Sequence, residues 1–469
     1  MKKLHFWNDT HVNQALDLVS AVEAGMSFSG ISTDSRSVKE GDLFVALLGH
    51  NFDGHDFIPS AVKQGARGLV VSRSVLIEEE PISIFRVEDT LEALGSLARY
   101  FRRKSGVTVV AITGSSGKTG TKDLTQAAIE ACHSSYCTRG NQNNRIGVPL
   151  TLLSAPENTD VIVLEMGTSE PGEIESLTTI AEPQIALITT VSESHTQGLE
   201  SFDGVMEEKL KLFEGLQEGG TALVSGEPEV LSCKAKEIVA DTLVVGSGEH
   251  TDVGYRPEKI NMDGSGHCSF FWRGERIELK VPGRHSVQNC LMALAVADLL
   301  DVPVKTAVKG VSRVEASGMR TEIMQVGGLT LILDCYNANP QSVEAGLDLL
   351  GSMDSGRSKI AFLGSMLELG KKSAALHSQV LSGAMSLKLD LVVATGLFTR
   401  GLSQEEGNRD SRIVSVADPH EAYQKIRDQI EGDEIILLKA SREVRLEKLI
   451  PFFKSDFGIR DVSLDGASA

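Results

Sequence analysis

The chain has 469 residues, of which 41% are hydrophobic and 23% are charged, and only 13 are proline. At roughly 100 to 200 residues per domain this length predicts about three domains, and the composition is typical of a globular enzyme rather than a disordered or fibrous protein. Lys and Arg number 46 against 64 Asp and Glu, so the formal net charge is −18. That sign argues against nucleic acid as a partner, because proteins bind nucleic acid mainly through cations that contact its phosphates.

The cysteines and the N-terminal sequence indicate a protein of the cytoplasm. The six cysteines are sparse and form no second pair at metal-ligand spacing, so we interpret them as reduced thiols of a reducing compartment. The N-terminus has two lysines but no apolar segment of signal-peptide length behind them, and no run of 18 apolar residues occurs in the chain. We therefore expect no stable membrane insertion.

Residues 1–104 are predicted to form a small N-terminal α/β domain. A polar basic stretch at 102–106 marks its end, because the β-branched run that follows it at 107–113 is typical of a buried parallel strand. The elements predicted in this domain are strands at 43–48 and 68–71 and a helix at 57–64.

Residues 105–315 repeat a strand and then a helix, which predicts a doubly wound, mostly parallel sheet. The pattern later changes to the alternation typical of an antiparallel hairpin, and then to a long helix rich in Ala, Leu and Asn. The predicted elements are strands at 107–113, 161–166, 185–191 and 221–225, a hairpin at 267–281 and a helix at 287–300.

Residues 316–469 return to alternating strands and helices, which predicts a C-terminal Rossmann-like domain. The tail after Ile459 is polar and small, and we expect it to be frayed. The predicted strands are 329–333, 360–363, 391–394, 413–416 and 435–439. The fold class is therefore α/β with three domains.

The strongest local signal is Gly114-Ser115-Ser116-Gly117-Lys118-Thr119, between a predicted strand and a predicted helix. Glycines let backbone N–H groups point at an anion, the helix N-terminus adds partial positive charge, the lysine adds a mobile full charge, and the threonine hydroxyl can bind Mg²⁺. The loop is two residues shorter than the general phosphate loop. A chance Gly-Lys-Thr sequence is the alternative, which the flanking strand and helix disfavour. The loop predicts ATP or GTP.

Three further side chains are candidates for metal chemistry at the same edge of the sheet. Glu165 ends a predicted strand, His195 follows the next one, and Lys209 lies on a charged helix behind it. Each has an ordinary alternative when taken singly: a helix cap or lysine partner, a loop histidine, and a solvated charged helix face.

Together these motifs resemble the ATP-dependent Mur ligases of peptidoglycan synthesis, over nearly the whole chain. The short loop at 114–119 has that family's form. The other motifs that carry the resemblance are Thr33-Asp34-Ser35-Arg36, residues 41–47, residues 140–149, Tyr336-Asn337-Ala338-Asn339-Pro340 and Met366-Leu367-Glu368-Leu369-Gly370. The last two are most similar to the family member that adds D-Ala-D-Ala, and the Asp-Asn-Pro-Arg sequence expected of the member that adds the third amino acid is absent.

The resemblance implies three domains, one each for the UDP-sugar substrate, for ATP and for the incoming amino acid or dipeptide. It implies an amide ligation through an acyl-phosphate, with UDP-MurNAc-tripeptide and D-Ala-D-Ala as substrates. ATP and Mg²⁺, as two ions, are the implied cofactors. We expect a monomer.

The resemblance also implies roles for individual residues. The catalytic residues would be Lys118, Glu165, His195 and Lys209. The metal would be bound by Thr119, Glu165, His195 and Lys209, with Lys209 carbamylated to a carboxylate-like anion. The nucleotide would be bound by Gly114, Ser115, Ser116, Gly117, Lys118, Thr119, Asn289, Arg320, Asp334, Tyr336 and Asn337. The UDP-sugar substrate would be bound by Ser35, Arg36, Asn141 and Asn144.

Two alternatives remain open from the sequence. A folylpolyglutamate synthetase-like ligase shares the short phosphate loop but would lack the UDP-sugar domain and the Tyr336 motif. A nucleotide-binding scaffold without catalysis is the other, and its best support is Lys211, which stands where the family usually has Glu. The third residue of the peptide substrate, diaminopimelate or lysine, is also left open.

Overall fold

The computed structural model describes residues 6–19, 25–49, 52–77, 82–248, 250–354, 356–400 and 410–458. These residues form three α/β domains in chain order, which confirms the predicted fold class. Among them, no helix combines the length and the apolar character that a membrane span requires. The tail predicted to fray lies outside the described residues.

The N-terminal domain has a two-stranded antiparallel ribbon and a four-stranded parallel sheet. Its elements are β1 (Trp7–Asn8), α1 (Asp9–Ala15), β2 (Ser27–Phe28), β3 (Ile31–Ser32), β4 (Leu43–Val45), α2 (Ile58–Lys63), β5 (Gly68–Val71), β6 (Ser83–Arg86) and α3 (Thr90–Ser105). The sheet order is β3-β4-β5-β6. The strand predicted at 43–48 ends early, at Val45, because Gly54 packs its backbone against Leu47.

The basic stretch predicted as the end of the first domain is the last turn of α3 and its C-terminal cap. Gly106 ends the helix with φ at +68°. Arg102 is buried and donates to the carbonyls of Ala181 and Glu182 at 3.0 and 2.5 Å. A cation at a helix C-terminus is favourable, so this stretch anchors the N-terminal domain on the central one instead of linking them loosely. The domain bounds 1–104, 105–315 and 316–469 themselves stay predictions.

The central domain is built on a parallel sheet, as predicted, and the sheet has six strands where four were predicted. Its elements are β7 (Thr108–Thr113), α4 (Lys118–Ile129), β8 (Ser135–Cys137), α5 (Gly147–Ser154), β9 (Val161–Glu165), α6 (Glu173–Ala181), β10 (Ile185–Ile188), α7 (Thr196–Leu199), α8 (Phe202–Glu214), β11 (Thr221–Ser225), α9 (Glu229–Ile238) and β12 (Leu243–Val245). The order is β12-β11-β10-β7-β9-β8. Alternate residues of β7 enter separate cores on the two faces, so the sheet is covered on both sides.

The second part of the central domain contains the predicted hairpin and long helix. Its elements are β13 (Glu258–Met262), β14 (His267–Trp272), β15 (Glu275–Pro282), α10 (His285–Leu299) and α11 (Val304–Val311). The hairpin of β14 and β15 gains a third antiparallel strand, β13, that we did not predict. Phe270 and Trp272 pack against α10, which begins two residues earlier than predicted.

The C-terminal domain has a second six-stranded sheet, in the order β16-β17-β21-β18-β19-β20. Its elements are β16 (Glu322–Val326), β17 (Leu329–Asp334), α12 (Pro340–Ser352), β18 (Lys359–Leu363), α13 (Ser373–Ser386), β19 (Leu391–Ala394), β20 (Ile413–Ser415), α14 (Pro419–Ile426), β21 (Ile435–Lys439) and α15 (Ile450–Phe457). The five predicted strands are confirmed within a residue at each end. The edge strand β16 was not predicted; it pairs antiparallel to β17 and is only partly buried.

Candidate active site

The loop between β7 and α4 lies where the strand order of the central sheet reverses. From β9 on one side of β7 the chain crosses to β10 on the other, and such crossing points are where open α/β sheets bind ligands. Gly114 and Gly117 have φ values of +152° and +81°, which L side chains rarely adopt. A Cβ at Gly114 would stand 1.9 Å from the Thr189 hydroxyl oxygen, so this position requires glycine.

Lys118 is the first residue of α4, and its Nζ donates to the carbonyl of Gly114 at 2.6 Å. Burial lowers the pKa of Lys118, the nearby Glu165 carboxylate opposes that shift, and Arg320 adds to it. Among the described residues the ammonium group donates to a neutral carbonyl and forms no ion pair, so its charge remains available to an anion on the loop.

A cavity of about 730 Å³ opens in front of this loop, between the central and C-terminal domains. It gathers most of the residues that the sequence assigned to the nucleotide and the metal. Those that line it are Ser115, Ser116, Gly117, Lys118, Thr119, Glu165, His195, Asn289, Arg320, Asp334, Tyr336 and Asn337. Gly114 and Lys209 lie behind this lining.

Glu165 is 2% exposed and ends β9 at the carboxyl edge of the sheet. Its carboxylate accepts hydrogen bonds from the Thr119 hydroxyl at 2.7 Å and from the Asn143 amide at 2.9 Å. Both partners are neutral, so neither ordinary alternative, the helix cap or the lysine partner, describes this carboxylate. Sequence reasoning missed Asn143, although it lies in the same 140–149 motif as two asparagines that were named.

Lys209 lies on α8 with 1% of its surface exposed, and its amine makes no hydrogen bond or ion pair with any described residue. The carboxylate of Glu208 is already taken by the backbone N–H groups of Gly172 and Ile174, each at 2.8 Å. Burial, with the positive charge of Lys118 nearby, therefore holds the pKa of Lys209 well below its ordinary value. The unprotonated, nucleophilic form of this amine is thus more accessible than that of an exposed lysine.

Lys211 lies on the same helix but is directed away from the site. Two positions along an α-helix differ by about 200° of rotation, which places Lys209 and Lys211 on nearly opposite sides. The Lys211 side chain is 38% exposed, and its Nζ lies 2.7 Å from the Glu214 carboxylate. The scaffold alternative thus loses its sequence support.

His195 is the N-terminal cap residue of α7 and has a left-handed backbone conformation, with φ at +54°. Its Nδ1 lies 2.6 Å from the Oε2 of Glu368, a residue of the C-terminal domain. The two atoms are close but not aligned as in a good hydrogen bond, so we describe them as an ion-pair contact. No three His, Cys, Asp or Glu side chains among the described residues form a metal-binding group. The predicted metal set, which relies on Thr119 and a carbamylated Lys209, stays a prediction.

The C-terminal domain supplies a second group of charged and aromatic side chains. Asp334 pairs with Lys439 at 2.8 Å, and the same Nζ donates to the carbonyl of Asn337 at 2.9 Å. The guanidinium of Arg320 stacks on the Tyr336 ring, 3.8 Å from the ring centroid.

The C-terminal domain also contacts the phosphate loop directly, through two side chains that sequence reasoning missed. Gln341 accepts from the Ser116 hydroxyl and donates to the Thr190 hydroxyl, both at 3.1 Å. Asn339, which caps α12, donates to the carbonyl of Ser115 at 3.1 Å. The loop therefore belongs to an interface between two domains, and the Tyr336 motif was the available signal for Asn339.

The four residues assigned to the UDP-sugar substrate lie outside this cavity. Ser35 is buried, whereas the Arg36 side chain is 87% exposed and lies 2.7 Å from Asp34. Asn141 is exposed, and the Asn144 side chain accepts from the backbone N–H groups that begin α5. The substrate role of these residues stays a prediction.

Comparison with known proteins agrees with this architecture. Three family models match in sequence order: the Mur ligase family catalytic domain at 27–102, the Mur ligase middle domain at 112–297 and the Mur ligase glutamate ligase domain at 319–442. A relative from Bacillus subtilis (strain 168), a UDP-N-acetylmuramoyl-tripeptide--D-alanyl-D-alanine ligase, is 34% identical over 431 residues, 90% of this chain and 92% of its own length. The chain belongs to the Mur ligase family.

Solved structures of Mur ligases have the same three-domain fold. MurF from Acinetobacter baumannii matches with a TM-score of 0.86 and 28% identity, covering 96% of this chain and 99% of that one. MurF ligase from Thermotoga maritima in complex with ADP matches with a TM-score of 0.80 and 26% identity, covering 91% and 97%. This Mur ligase therefore matches these MurF structures in domain order over more than nine-tenths of each chain.

Proposed function

We propose that this protein is an ATP-dependent ligase that joins D-Ala-D-Ala to the terminal carboxylate of UDP-MurNAc-tripeptide, giving the pentapeptide precursor of peptidoglycan. The observation that carries the proposal is the cavity between the central and C-terminal domains. It brings Lys118, Glu165 and His195 together with the Tyr336 motif. Relatives that match over nearly their whole length have this activity in their names.

The phosphate loop is the binding site we propose for the ATP phosphates. Its backbone N–H groups and the N-terminus of α4 attract an anion, and Lys118 adds a full charge. Phosphate oxygens beside Lys118 would restore the protonated state that burial alone disfavours. Asn289, which contacts Gly117, and the stacked Arg320 and Tyr336 would bind the rest of the nucleotide.

The residues at the carboxyl ends of β7 and β9 fit Mg²⁺, which prefers oxygen ligands and usually keeps several waters. Thr119 and Glu165 would bind it from the central sheet, joined by His195 and a carbamylated Lys209. When bound, Mg²⁺ neutralises charge on the phosphate groups during transfer. The neutral hydrogen-bond partners of Glu165 support this role, because no lysine or arginine among the described residues forms an ion pair with its carboxylate.

Carbamylation of Lys209 is supported by its environment. An unprotonated amine adds to CO₂ and loses a proton, which forms a carbamate anion. Burial lowers the pKa of Lys209, and Glu208 is occupied at the start of α6, so no carboxylate holds the amine as an ammonium. The carbamate would place a negative charge near Lys118, whose positive charge would stabilise it.

The proposed reaction has two steps. The tripeptide carboxylate attacks the γ-phosphorus of ATP and ADP leaves; the free amine of D-Ala-D-Ala then attacks the acyl carbon and phosphate leaves. Lys118 offsets the repulsion between the two reacting anions. The contacts of Gln341 and Asn339 with the phosphate loop close the C-terminal domain over the site, which excludes water from the acyl-phosphate.

Two observations favour this function over the alternatives. The N-terminal domain and the Tyr336 motif are both present, and a folylpolyglutamate synthetase-like ligase would lack them. Lys211 pairs with Glu214 away from the cavity, so it gives no reason to expect loss of catalysis. Monomeric state and cytoplasmic location stay predictions.

The test is phosphate release from ATP in the presence of UDP-MurNAc-tripeptide, with D-Ala-D-Ala added or omitted, and mass spectrometry of the product. We expect sustained release only with both substrates, and a product heavier by one dipeptide residue unit. Nucleotide binding without dipeptide-dependent turnover would contradict the proposal and favour the scaffold.

A further inference from the structure

A segment of the C-terminal domain, residues 368–372, docks on residues 193–197 of the central domain. The carbonyl of Glu368 accepts from the backbone N–H of Gln197 at 3.0 Å. The Thr196 hydroxyl donates to the carbonyl of Leu369 at 3.1 Å. Lys372 pairs with Glu193 at 2.5 Å. We refer to these contacts as the 368–372 clasp.

The Glu368 side chain makes a separate contact from within this clasp. Its Oε2 lies 2.6 Å from Nδ1 of His195, whose ring lines the cavity in front of the phosphate loop. Both residues have left-handed backbones, with φ of +54° at His195 and +62° at Glu368. L residues avoid this region, and such conformations persist where the surrounding structure holds them, often at functional sites. Here two residues with this backbone conformation contact each other across a domain boundary.

We propose that Glu368 is a positioning residue for His195. A neutral imidazole carries one proton, and a carboxylate facing Nδ1 favours the form with the proton on that nitrogen. The lone pair is then on Nε2, where it is available to a cation or a donor in the cavity. Because Glu368 belongs to the C-terminal domain, His195 adopts its working form only when that domain is docked. This inference rests on the proposed function.

The effect of the Glu368 side chain on His195 can be tested separately from the effect of the clasp on domain docking. The Glu368 side chain is 54% exposed, and an exposed ion pair contributes little to stability. The clasp itself relies on the backbone carbonyls of Glu368 and Leu369 and on Lys372, all of which survive removal of the Glu368 carboxylate. A Glu368 variant should therefore remain folded and docked while its His195 is no longer oriented.

The experiment compares Glu368→Ala with Lys372→Ala, which removes a contact of the same clasp without touching His195. We expect Glu368→Ala to lower kcat by about 10- to 100-fold, the usual cost of losing such an outer partner, with KM for ATP changed less than about twofold. Lys372→Ala should lower kcat less than about threefold. Glu368→Gln, which keeps an acceptor for the Nδ1 proton, should recover at least half of the lost activity on a logarithmic scale.

A second readout does not depend on turnover. The melting temperature is measured with ADP at increasing MgCl₂ concentration. The MgCl₂ concentration that gives half of the full stabilisation should be about tenfold higher in Glu368→Ala and unchanged in Lys372→Ala. Equal losses in the two variants, or a Glu368→Ala protein that melts earlier without ligand, would overturn the proposal and make Glu368 an interface residue only. An inactive wild type would instead contradict the proposed function.

Discussion

Two cationic turns of this protein follow the carboxyl ends of parallel strands, yet their charges are held differently. In the phosphate loop after β7, Lys118 is half-buried, and its one hydrogen-bond partner among the described residues is the carbonyl of Gly114. In the turn after β3, Arg36 is almost fully exposed, and its pairing with Asp34 lowers the pKa of that carboxyl to about 2. The Lys118 charge is available to an anion, whereas Arg36 must release the Asp34 carboxylate before it can bind an anionic ligand.

The comparison teaches that a binding site is marked less by the presence of a cation than by the absence of its counterion. Buried charges are usually paired, since desolvation is costly. Lys209 is buried and Lys118 is half-buried, neither forms an ion pair with a carboxylate among the described residues, and both lie at the candidate active site. A charge that is paired within its own turn gives much weaker grounds for assigning a ligand.

The largest effect is expected for Lys118→Met, which removes the charge of the phosphate loop but keeps an unbranched side chain. Phosphate release should fall by about a thousandfold, because a preorganised charge on the transferring group is lost. The melting temperature without ligand should change little, since Lys118 makes one hydrogen bond to a backbone carbonyl and no ion pair with a described residue. Steady-state kinetics and thermal melting check both expectations. Activity within tenfold of wild type would remove Lys118 from the reaction.

Lys209→Ala is expected to lower kcat by about a hundredfold, with Lys211→Ala as the matched control at less than twofold. The pH dependence has a definite sign. Because the pKa of Lys209 is lowered, its reactive unprotonated form is lost only as pH falls through that lowered pKa. In CO₂-depleted buffer the wild type should lose activity, and added bicarbonate should restore it. Restoration of Lys209→Ala by bicarbonate would contradict a carbamate at this position.

Asn143→Ala should lower kcat by about tenfold, because Glu165 loses one of the two donors that orient its carboxylate. Gln142→Ala is the control from the same motif, since Gln142 is exposed and lies outside the cavity. Parallel kinetics of the two variants check the prediction. Similar losses in both would mean that the motif acts through the shape of its loop.

The smallest effect is expected at the other turn. Arg36→Ala should raise KM for UDP-MurNAc-tripeptide by about threefold to tenfold and leave kcat at saturation unchanged, as expected when ground-state and transition-state binding are lost together. Asp34→Asn, which frees Arg36 from its pair, should lower that KM. An unchanged KM in both variants would place the substrate elsewhere on the N-terminal domain.

Sequence reasoning located the strands and the phosphate loop because both leave local signals. Buried parallel strands appear as apolar runs, as in β7 and β9, and the glycines of the loop are fixed by backbone conformation at Gly114 and Gly117. The edge strand β16 left no such signal, because its partly exposed residues alternate weakly between polar and apolar.

The residues that were missed depend on contacts between distant segments. Asn143 is identified by its distance to Glu165, and Gln341 by its contacts with Ser116 and Thr190 across a domain boundary. The pairing of Glu368 with His195 also joins two domains. Single-sequence patterns report on neighbours along the chain and carry no information about which domain closes on which loop.

The buried Arg102 at the end of α3 has a consequence for substrate length. Its two bonds to the carbonyls that end α6 fasten the N-terminal domain to the central one. If the first domain binds the sugar end of the substrate, as predicted, and the second binds its carboxylate, these bonds help to set the distance between the two ends. Peptides one residue too short or too long would then place their carboxylate away from the γ-phosphate. The enzyme would thus select its substrate by the length of the peptide.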